Sequence, residues 1–277
     1  MGVTLSARAR LWAAGSLGRS ALAAGALMIL LAGCGSATYL VPAGGSPPAR
    51  GYAQAAEIHW TAEQADVNRA AYDEEKAILK DPTWPVPYAR LSEILLAANH
   101  RAGALQEAEL AHNVAPRREL YANNLGDLAL ELGHWRLAAS TFEAALKLHP
   151  TDWVAAVGLG RVGIRHHDWQ AALRNLHNAL LWGGPRGPVY DAFGEYYWRK
   201  LNYAAAGYYY ADAQSADPGW WQPYYDLAQV DLKLGEPSAA LNNLATALRL
   251  SPTQSEVFQQ YQEVKQSMAR PTAQSAG

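Results

Sequence analysis

The chain has 277 residues, of which 50% are hydrophobic and 17% are charged, and its formal net charge is −2. This composition excludes a disordered chain, and the sequence has no Lys/Arg cluster of the kind that binds nucleic acid. Its single cysteine, Cys34, excludes an internal disulfide and a multi-cysteine metal site.

Residues 1–33 have the pattern of a secretory signal peptide. Three arginines are the only charges in this segment, and an uncharged, mostly apolar run lies at 20–32. That run is shorter than the ~20 apolar residues that a membrane-spanning helix needs. We therefore expect a signal peptide, with an uncleaved signal anchor as the alternative.

Residues 31–34, with the sequence LAGC, resemble the lipobox of bacterial lipoproteins. The resemblance implies that the signal peptide is cleaved before Cys34 and that lipid is attached to the Cys34 thiol. Two or more acyl chains hold a protein stably on a bilayer. Gly35 stands where an inner-membrane lipoprotein has Asp, so the resemblance implies an outer-membrane anchor facing the periplasm.

The segment after the cysteine, 34–52, is rich in Gly, Pro, Ala and Ser and lacks helical or strand periodicity. It is therefore predicted to be a flexible linker. A random coil of this length spans about 25 Å. That reach holds a folded body clear of the lipid headgroups.

Prolines then recur along the chain at intervals of 34 residues. Pro82, Pro116 and Pro150 form one series, and Pro218 and Pro252 continue it after position 184, where the series has no proline. A 34-residue period with helix–turn–helix content is the signature of tetratricopeptide repeats. Proline at repeat position 32 ends the second helix of each pair, because it lacks an N–H and clashes with the preceding turn.

Other positions of the period resemble the same family, whose pattern has Leu-Gly at positions 7 and 8, Ala at 20 and an aromatic at 24. The match is fullest in the window 187–220, through Tyr190, Phe193, Gly194, Tyr197, Ala206, Tyr210 and Pro218. The other predicted repeats are 85–118, 119–152, 153–186 and 221–254.

The window 51–84 is degenerate, because Glu57 occupies the usual leucine site. A capping box of Thr61 and Gln64 is expected to begin its second helix. The resemblance implies an all-α solenoid of about six stacked repeats over 53–269, including a capping helix at 255–269. Residues 270–277 are expected to form a disordered tail.

Small residues at position 8 are predicted to be packing contacts rather than flexible points. Gly126, Gly160 and Gly194 occupy this position in three successive repeats. They let the two helices of a repeat approach closely, and stacking is obligatory because one repeat cannot bury its apolar face alone.

The sequence carries no catalytic signature: it has no Walker loop, no GxSxG, no HExxH and no dinucleotide fingerprint. We therefore predict that the chain is not an enzyme and needs no cofactor. The run from His166 to Asp168 falls at positions 14–16, in the turn between two helices, and is interpreted as solvated turn residues rather than a metal site.

Residues 187–225 hold nine tyrosines and three tryptophans. Expected core positions account for most of them. Trp198 and Tyr225 are left on the concave face, where aromatic rings could hold a glycan or a small ligand or serve as an interface hot spot.

The concave groove is expected to be lined by the first helix of each repeat, at positions 2, 5, 9, 12 and 13. The candidate partner-binding residues are Glu93, Asn123, Asp127, Arg161, Arg165, Asp191, Glu195, Trp198, Arg199, Tyr225 and Gln229. Arg161 and Arg165 share one helix face between acidic neighbours. They are interpreted either as members of cross-repeat ion pairs or as the centre of a site for an acidic peptide.

The favoured function is a lipid-anchored, periplasm-facing scaffold for proteins of a cell-envelope machine. The chain is similar to pilotins and to assembly factors of pili and secretion systems, which are tetratricopeptide lipoproteins. The alternative is a glycan or small-ligand binder that uses residues 187–225, as in polysaccharide export.

Overall fold

A computed structural model of the chain describes residues 44–61 and 66–269. Within these ranges the regular structure is helical throughout, which confirms the predicted all-α solenoid of tetratricopeptide type. The thirteen helices in this part of the chain are α1 Pro47–Thr61, α2 Val67–Lys80, α3 Pro85–Ala97, α4 Arg101–Val114, α5 Glu119–Glu131, α6 Trp135–Leu148, α7 Trp153–Arg165, α8 Trp169–Gly183, α9 Gly187–Arg199, α10 Tyr203–Ala216, α11 Gln222–Leu234, α12 Pro237–Leu250 and α13 Ser255–Ala269.

Helices are stacked in chain order. Each helix packs against the next one, and the first helices of successive repeats also touch, α5 with α7 and α7 with α9. The odd-numbered helices from α3 to α11 therefore form one row, which supplies the concave face. The helix α13 packs against α12 and closes the C-terminal end of the stack.

The second helix of a repeat ends two residues before the position-32 proline. The last residues of five such helices share repeat position 30: Lys80, Val114, Leu148, Ala216 and Leu250. In the repeat that lacks this proline, α8 runs one residue further and stops at Gly184, whose φ is +73°. Glycine adopts this conformation without the steric cost that a side chain would carry.

In the five repeats from 85 to 254, the turn between the two helices has one residue in the left-handed region, always at repeat position 15. The five residues and their φ values are Asn99 at 60°, Gly133 at 80°, His167 at 59°, Leu201 at 59° and Gly235 at 79°. A left-handed residue reverses the chain tightly after the first helix, as at helix C-termini in general.

Alanines at repeat positions 20 and 27 line the interior of every repeat. The position-20 alanines are fully buried, and they are Ala70, Ala104, Ala138, Ala172, Ala206 and Ala240. The position-27 alanines are buried equally well, and they are Ala77, Ala111, Ala145, Ala179, Ala213 and Ala247. Small side chains on the second helix allow it to approach both of its neighbours, so the core is a thin continuous layer along the solenoid.

The predicted packing role of the position-8 glycines is confirmed. A Cβ on Gly126 would lie 2.6 Å from the Phe142 ring, and a Cβ on Gly194 would lie 2.5 Å from the Tyr210 ring. A Cβ on Gly160 would meet Leu176 at 2.5 Å. In each case the large partner is the position-24 residue of the same repeat, so glycine makes room for it.

The N-terminal part of the solenoid differs from the prediction in two respects. The helix α1 begins at Pro47, so the predicted linker 34–52 is too long: Ala49 and Ala53 are buried and pack with Trp84, which holds this segment as helix. The expected capping box does not begin α2. Its N-cap is Asp66, whose carboxylate accepts a hydrogen bond from the backbone N–H of Arg69 at 3.0 Å.

Glu57, at the usual leucine position of the degenerate repeat, forms an ion pair. Its Oε2 lies 2.7 Å from Nη2 of Arg90, a buried residue of α3. Arg90 also donates a hydrogen bond to the carbonyl of Ala53 and lies 3.6 Å from the buried carboxyl of Glu74. This cluster fastens the first helix pair to the rest of the stack.

The signal peptide at 1–33, Cys34 with its lipid, the linker up to residue 43 and the tail 270–277 lie outside the described residues. Among the helices of residues 44–61 and 66–269, none is long and apolar enough to span a bilayer.

Candidate partner-binding groove

A cavity of about 560 Å³ runs along the concave face. It begins at α3 and ends at α11, and its walls come chiefly from the odd-numbered helices. The predicted groove residues that line it are Glu93, Asp127, Arg161, Arg165, Asp191, Glu195, Trp198, Arg199 and Gln229. The structure therefore brings these nine side chains to one surface, over five successive repeats.

Asn123 and Tyr225 do not line the cavity, and each of these side chains bonds to a residue at the start of the next odd-numbered helix. The Asn123 amide donates to Oδ2 of Asp152 at 2.8 Å, and Asp152 caps the start of α7. The Tyr225 hydroxyl donates to Oε1 of Glu256, on α13, at 2.8 Å. Both residues join repeats instead of facing the groove.

Ion pairs between side chains of neighbouring repeats lie in the middle of the groove. Nη2 of Arg161 donates to Oδ2 of Asp191 at 2.9 Å, and Nη2 of Arg165 lies 3.2 Å from Oε1 of Glu195. Nε of Arg161 lies 3.8 Å from the other oxygen of Glu195. The first of the two interpretations of these arginines therefore agrees with the structure, since each guanidinium contacts a carboxylate of α9.

Carboxyl groups outnumber guanidinium groups along the cavity. Its acidic lining residues are Glu93, Asp127, Glu131, Asp191, Glu195 and Asp226, and its basic ones are Arg161, Arg165 and Arg199. An excess of one sign in a concave, partly dehydrated surface focuses the potential there. The groove therefore attracts cations.

Burial makes the groove carboxyls hard to ionise. Burial raises the pKa of Asp127 to about 6, in spite of the nearby charge of Arg161. Burial also raises the pKa of Asp191 to about 6, while its bond to Arg161 acts in the opposite direction. For Asp226 the pKa lies well above its usual value, because burial is reinforced by the charge of Asp191.

Sequence reasoning missed several lining residues, among them Asp226, Tyr210 and Trp220. Asp226 is at repeat position 6, which was not expected to face the groove. Tyr210, at position 24, and Trp220, at the junction between two repeats, are both buried and also form part of the cavity wall. The position-32 proline and the two tryptophans that follow it mark this junction in the sequence.

Most aromatic rings of residues 187–225 pack against one another. The Tyr209 ring stacks on Phe193 at 5.1 Å and on Tyr197 at 5.2 Å between centroids. Trp198 lines the cavity while its ring meets the Tyr203 ring edge-on at 5.1 Å. Most of these rings therefore pack α9 against α10. Of the two rings predicted to face the groove, Trp198 lines the cavity and Tyr225 does not.

The residues from His166 to Asp168 have local roles in the turn before α8. The His166 ring meets Trp135 edge-on at 5.9 Å, and the His167 ring meets Trp169 at 5.3 Å. The Asp168 carboxylate caps α8 by accepting from the N–H of Ala171. Within the described residues no group of three or more His, Cys, Asp or Glu side chains could hold a metal ion.

The fold is a tetratricopeptide-type α-solenoid with a cavity along its concave face. A comparison with models of known protein families finds no match for this chain. A comparison with curated proteins finds BBS4, a member of the BBSome complex of Bos taurus, which is 24% identical over 171 residues. These residues are 62% of this chain and 33% of the relative, so the chain spans about a third of the length of BBS4.

Solved structures with the same fold include one that is described as a pilus biogenesis factor. PilW, described as a widely conserved type IV pilus biogenesis factor, is 20% identical with a TM-score of 0.58, covering 78% of this chain and 98% of PilW. Pseudomonas aeruginosa PilF is 17% identical with a TM-score of 0.53, covering 78% and 97%. A tetratricopeptide repeat protein of Parabacteroides merdae is 12% identical with a TM-score of 0.68, covering 77% and 84%.

Proposed function

We propose that this chain is a lipid-anchored scaffold that faces the periplasm and holds a segment of a partner protein in its groove. The observation that carries the proposal is the continuous cavity of about 560 Å³ along the first helices of five repeats. An extended segment can contact several repeats at once in such a groove, and specificity then comes from the side chains along it.

The assembly that this scaffold serves is proposed to be a cell-envelope machine such as a pilus or a secretion system. Support comes from the lipobox-like residues 31–34 and from the type IV pilus biogenesis factor PilW, which has the same fold. No catalytic or cofactor role is part of the proposal.

A pull-down from detergent-solubilised envelopes tests the role of the groove. The variant Arg161→Glu/Arg165→Glu reverses two charges on the concave face and breaks their pairs with α9. The matched control Arg136→Glu/Arg174→Glu reverses two exposed charges on α6 and α8, outside the cavity. We expect the first variant to capture a changed set of partners, because the charge of the groove has changed, and the control to capture the wild-type partners. If both variants capture the wild-type partners, the groove is not the surface that binds them.

Lipid attachment is tested separately, by metabolic labelling with an alkyne fatty acid in a bacterial host. Wild-type protein should incorporate the label and fractionate with the outer membrane, and Cys34→Ser should do neither. Label on the Cys34→Ser variant, or a mature chain that still begins at Met1, would contradict the anchor.

A glycan or small ligand is the second candidate, carried by Trp198, which lines the cavity. A change in tryptophan fluorescence on titration with cell-wall or capsule fragments would support it. No change at millimolar concentrations of the fragments would count against it.

A further inference from the structure

One end of the groove, which we call the deep end, is lined by residues of α7, α9 and α11 and has a buried carboxylate with one oxygen that accepts no hydrogen bond. Asp191 is only 6% exposed and lines the cavity. Its Oδ2 accepts a hydrogen bond from Arg161 at 2.9 Å, but its Oδ1 has no hydrogen-bond partner within the described part of the chain. A buried acceptor left without a donor costs free energy, so a ligand that brings a donor gains affinity there.

A second buried polar atom at the same end is a donor. Trp220 is 8% exposed, lines the cavity and packs over the start of α9, near Gly187. Its Nε1–H finds no acceptor among residues 44–61 and 66–269. Both atoms are closed to solvent, so an occupant of this end of the groove reaches them only when the two side chains shift, and it then has to offer both a donor, for Asp191, and an acceptor, for Trp220.

The charges around these two residues favour a cationic occupant. Asp226 lies at the same end, where its carboxylate accepts hydrogen bonds from the Gln222 amide at 3.2 and 3.3 Å. Its ionisation is opposed by burial and by the negative charge of Asp191, and Glu195 adds to this effect. A cation beside Asp226 would offset that repulsion.

An arginine side chain in a peptide meets all of these requirements. Its planar guanidinium offers several donors in a fixed fork, suits two neighbouring carboxyls and loses less hydration on burial than an ammonium group. The peptide carbonyl groups that flank it supply the acceptor that the Trp220 indole lacks. A bare metal ion would supply no acceptor for Trp220.

We propose that the partner segment carries an arginine whose guanidinium binds between Asp191 and Asp226, at the deep end of the groove. This inference rests on the proposed function, because it names the chemistry of the segment that the scaffold holds. It also assigns to the groove a basic segment and not an acidic one.

The test compares four fluorescein-labelled nonapeptides of sequence (Ser-X-Gly)₃ on the purified full chain in detergent, by fluorescence anisotropy. X is arginine, lysine, citrulline or glutamate; citrulline has the shape of arginine without its charge. We expect the arginine peptide to bind at least tenfold more tightly than the citrulline peptide and more tightly than the lysine peptide, with no binding of the glutamate peptide. Higher salt should weaken the arginine peptide's affinity.

Variants then locate the site. Asp191→Asn and Asp226→Asn should each weaken the arginine peptide about tenfold or more, and Trp220→Phe, which keeps a ring but removes the N–H, should weaken it severalfold. The control Glu143→Gln removes one exposed carboxylate outside the cavity and should leave the affinity unchanged. Because Asp191→Asn alters the bond with Arg161, thermal melting accompanies each variant, and Asp226→Asn and the citrulline comparison do not depend on that bond.

Four outcomes would overturn the inference. The arginine peptide does not bind, it binds no more tightly than the citrulline peptide, the glutamate peptide binds most tightly, or neither Asp variant changes the affinity. None of these outcomes contradicts the scaffold function, which is tested separately by the pull-down, because the pull-down measures partner capture regardless of the partner's charge. Conversely, arginine binding that survives Asp226→Asn would show a surface interaction elsewhere on the chain.

Discussion

Position 8 of each repeat limits how closely the two helices of a pair can approach. In α5 that position is Gly126, and a Cβ there would lie 2.6 Å from the rigid ring of Phe142, which is completely buried. The ring cannot move without displacing its own neighbours, since protein interiors are close-packed.

We predict that Gly126→Ala destabilises the chain by about 1–3 kcal/mol, the usual range for overpacking. The control is Gly51→Ala in α1, where nothing lies within 4 Å of the added Cβ, so the higher helix propensity of alanine should leave stability unchanged or raise it. The measurement is urea unfolding followed by circular dichroism. A Gly126→Ala variant as stable as Gly51→Ala would contradict the packing role.

Position 15 in the turns of the five repeats from 85 to 254 has a left-handed backbone whichever residue is there. Leu201 adopts a φ of 59° and is 70% exposed, so its side chain contributes little packing to set against the strain. We predict that Leu201→Gly raises stability by about 0.5–1 kcal/mol, because glycine avoids the steric cost of this conformation. The reverse change, Gly133→Leu, should lower the melting temperature, and equal melting temperatures for the two variants would contradict this explanation.

Asp127 makes stability depend on pH. Because its pKa is about 6 in the folded chain and close to 3.8 as an ordinary Asp, the folded state binds the proton more tightly. Protonation therefore stabilises the fold fully below about pH 4, and this contribution is lost as the pH rises through 6.

Replacing Asp127 with Asn removes the charge that is costly at neutral pH. We predict that Asp127→Asn is more stable than wild type at pH 7 by about 1–3 kcal/mol, since each unit of pKa corresponds to about 1.4 kcal/mol. The gain should disappear at pH 4. Melting temperatures at the two pH values test this, and a gain of the same size at both would show that the effect is not one of ionisation.

At the scale of the helices, one buried cluster attaches the first pair to the second. Arg90 of α3 bonds to the Ala53 carbonyl of α1 and pairs with Glu57 of α1, and it also lies near Glu74 of α2. Burial raises the pKa of Glu74 to about 8, with Arg90 acting against this shift, so Glu74 is mainly protonated at pH 7. Glu57 is then the main anionic partner of Arg90 at that pH.

We predict that Arg90→Met loosens α1 and α2 without unfolding the remaining repeats, because each repeat contacts only its neighbours. The variant loses the hydrogen bond to the Ala53 carbonyl and the pair with the partly exposed Glu57, which together cost about 1.5–3 kcal/mol. Hydrogen exchange followed by mass spectrometry should show faster exchange in 47–80 and unchanged exchange in 119–250. Faster exchange along the whole chain would mean that the solenoid unfolds as a single unit.

The helices themselves could be predicted from the sequence to within a few residues, because the residues that end each helix act locally. The position-32 prolines end the second helices, and the Ala and Gly positions identify which faces touch. The start of α1 could not be predicted, because the segment at 47–52 is helical only through contacts with Trp84, which is more than thirty residues away. Local composition there favours a linker.

At the scale of the whole molecule, the period predicted most of the groove but not its deep end. Seven of the nine predicted residues that line the cavity are at position 9 or position 13, which recur on the same face of each first helix. Asp226 at position 6 and the buried Trp220 also line the cavity, and Asn123 and Tyr225 at position 5 do not, because they bond to the start of the next odd-numbered helix. These exceptions depend on contacts between repeats, which the pattern within one repeat does not specify.

Whether a partner segment occupies this groove is most directly measured by photo-crosslinking in cells, with a photoreactive residue in place of Trp198. Leu181, on α8, is the control site, because it is 78% exposed and outside the cavity. We predict that position 198 captures one partner through one short segment, identified by peptide mass spectrometry, and that position 181 does not. Capture of the same partner with equal yield from both positions, or no capture from position 198, would contradict a binding role for the concave face.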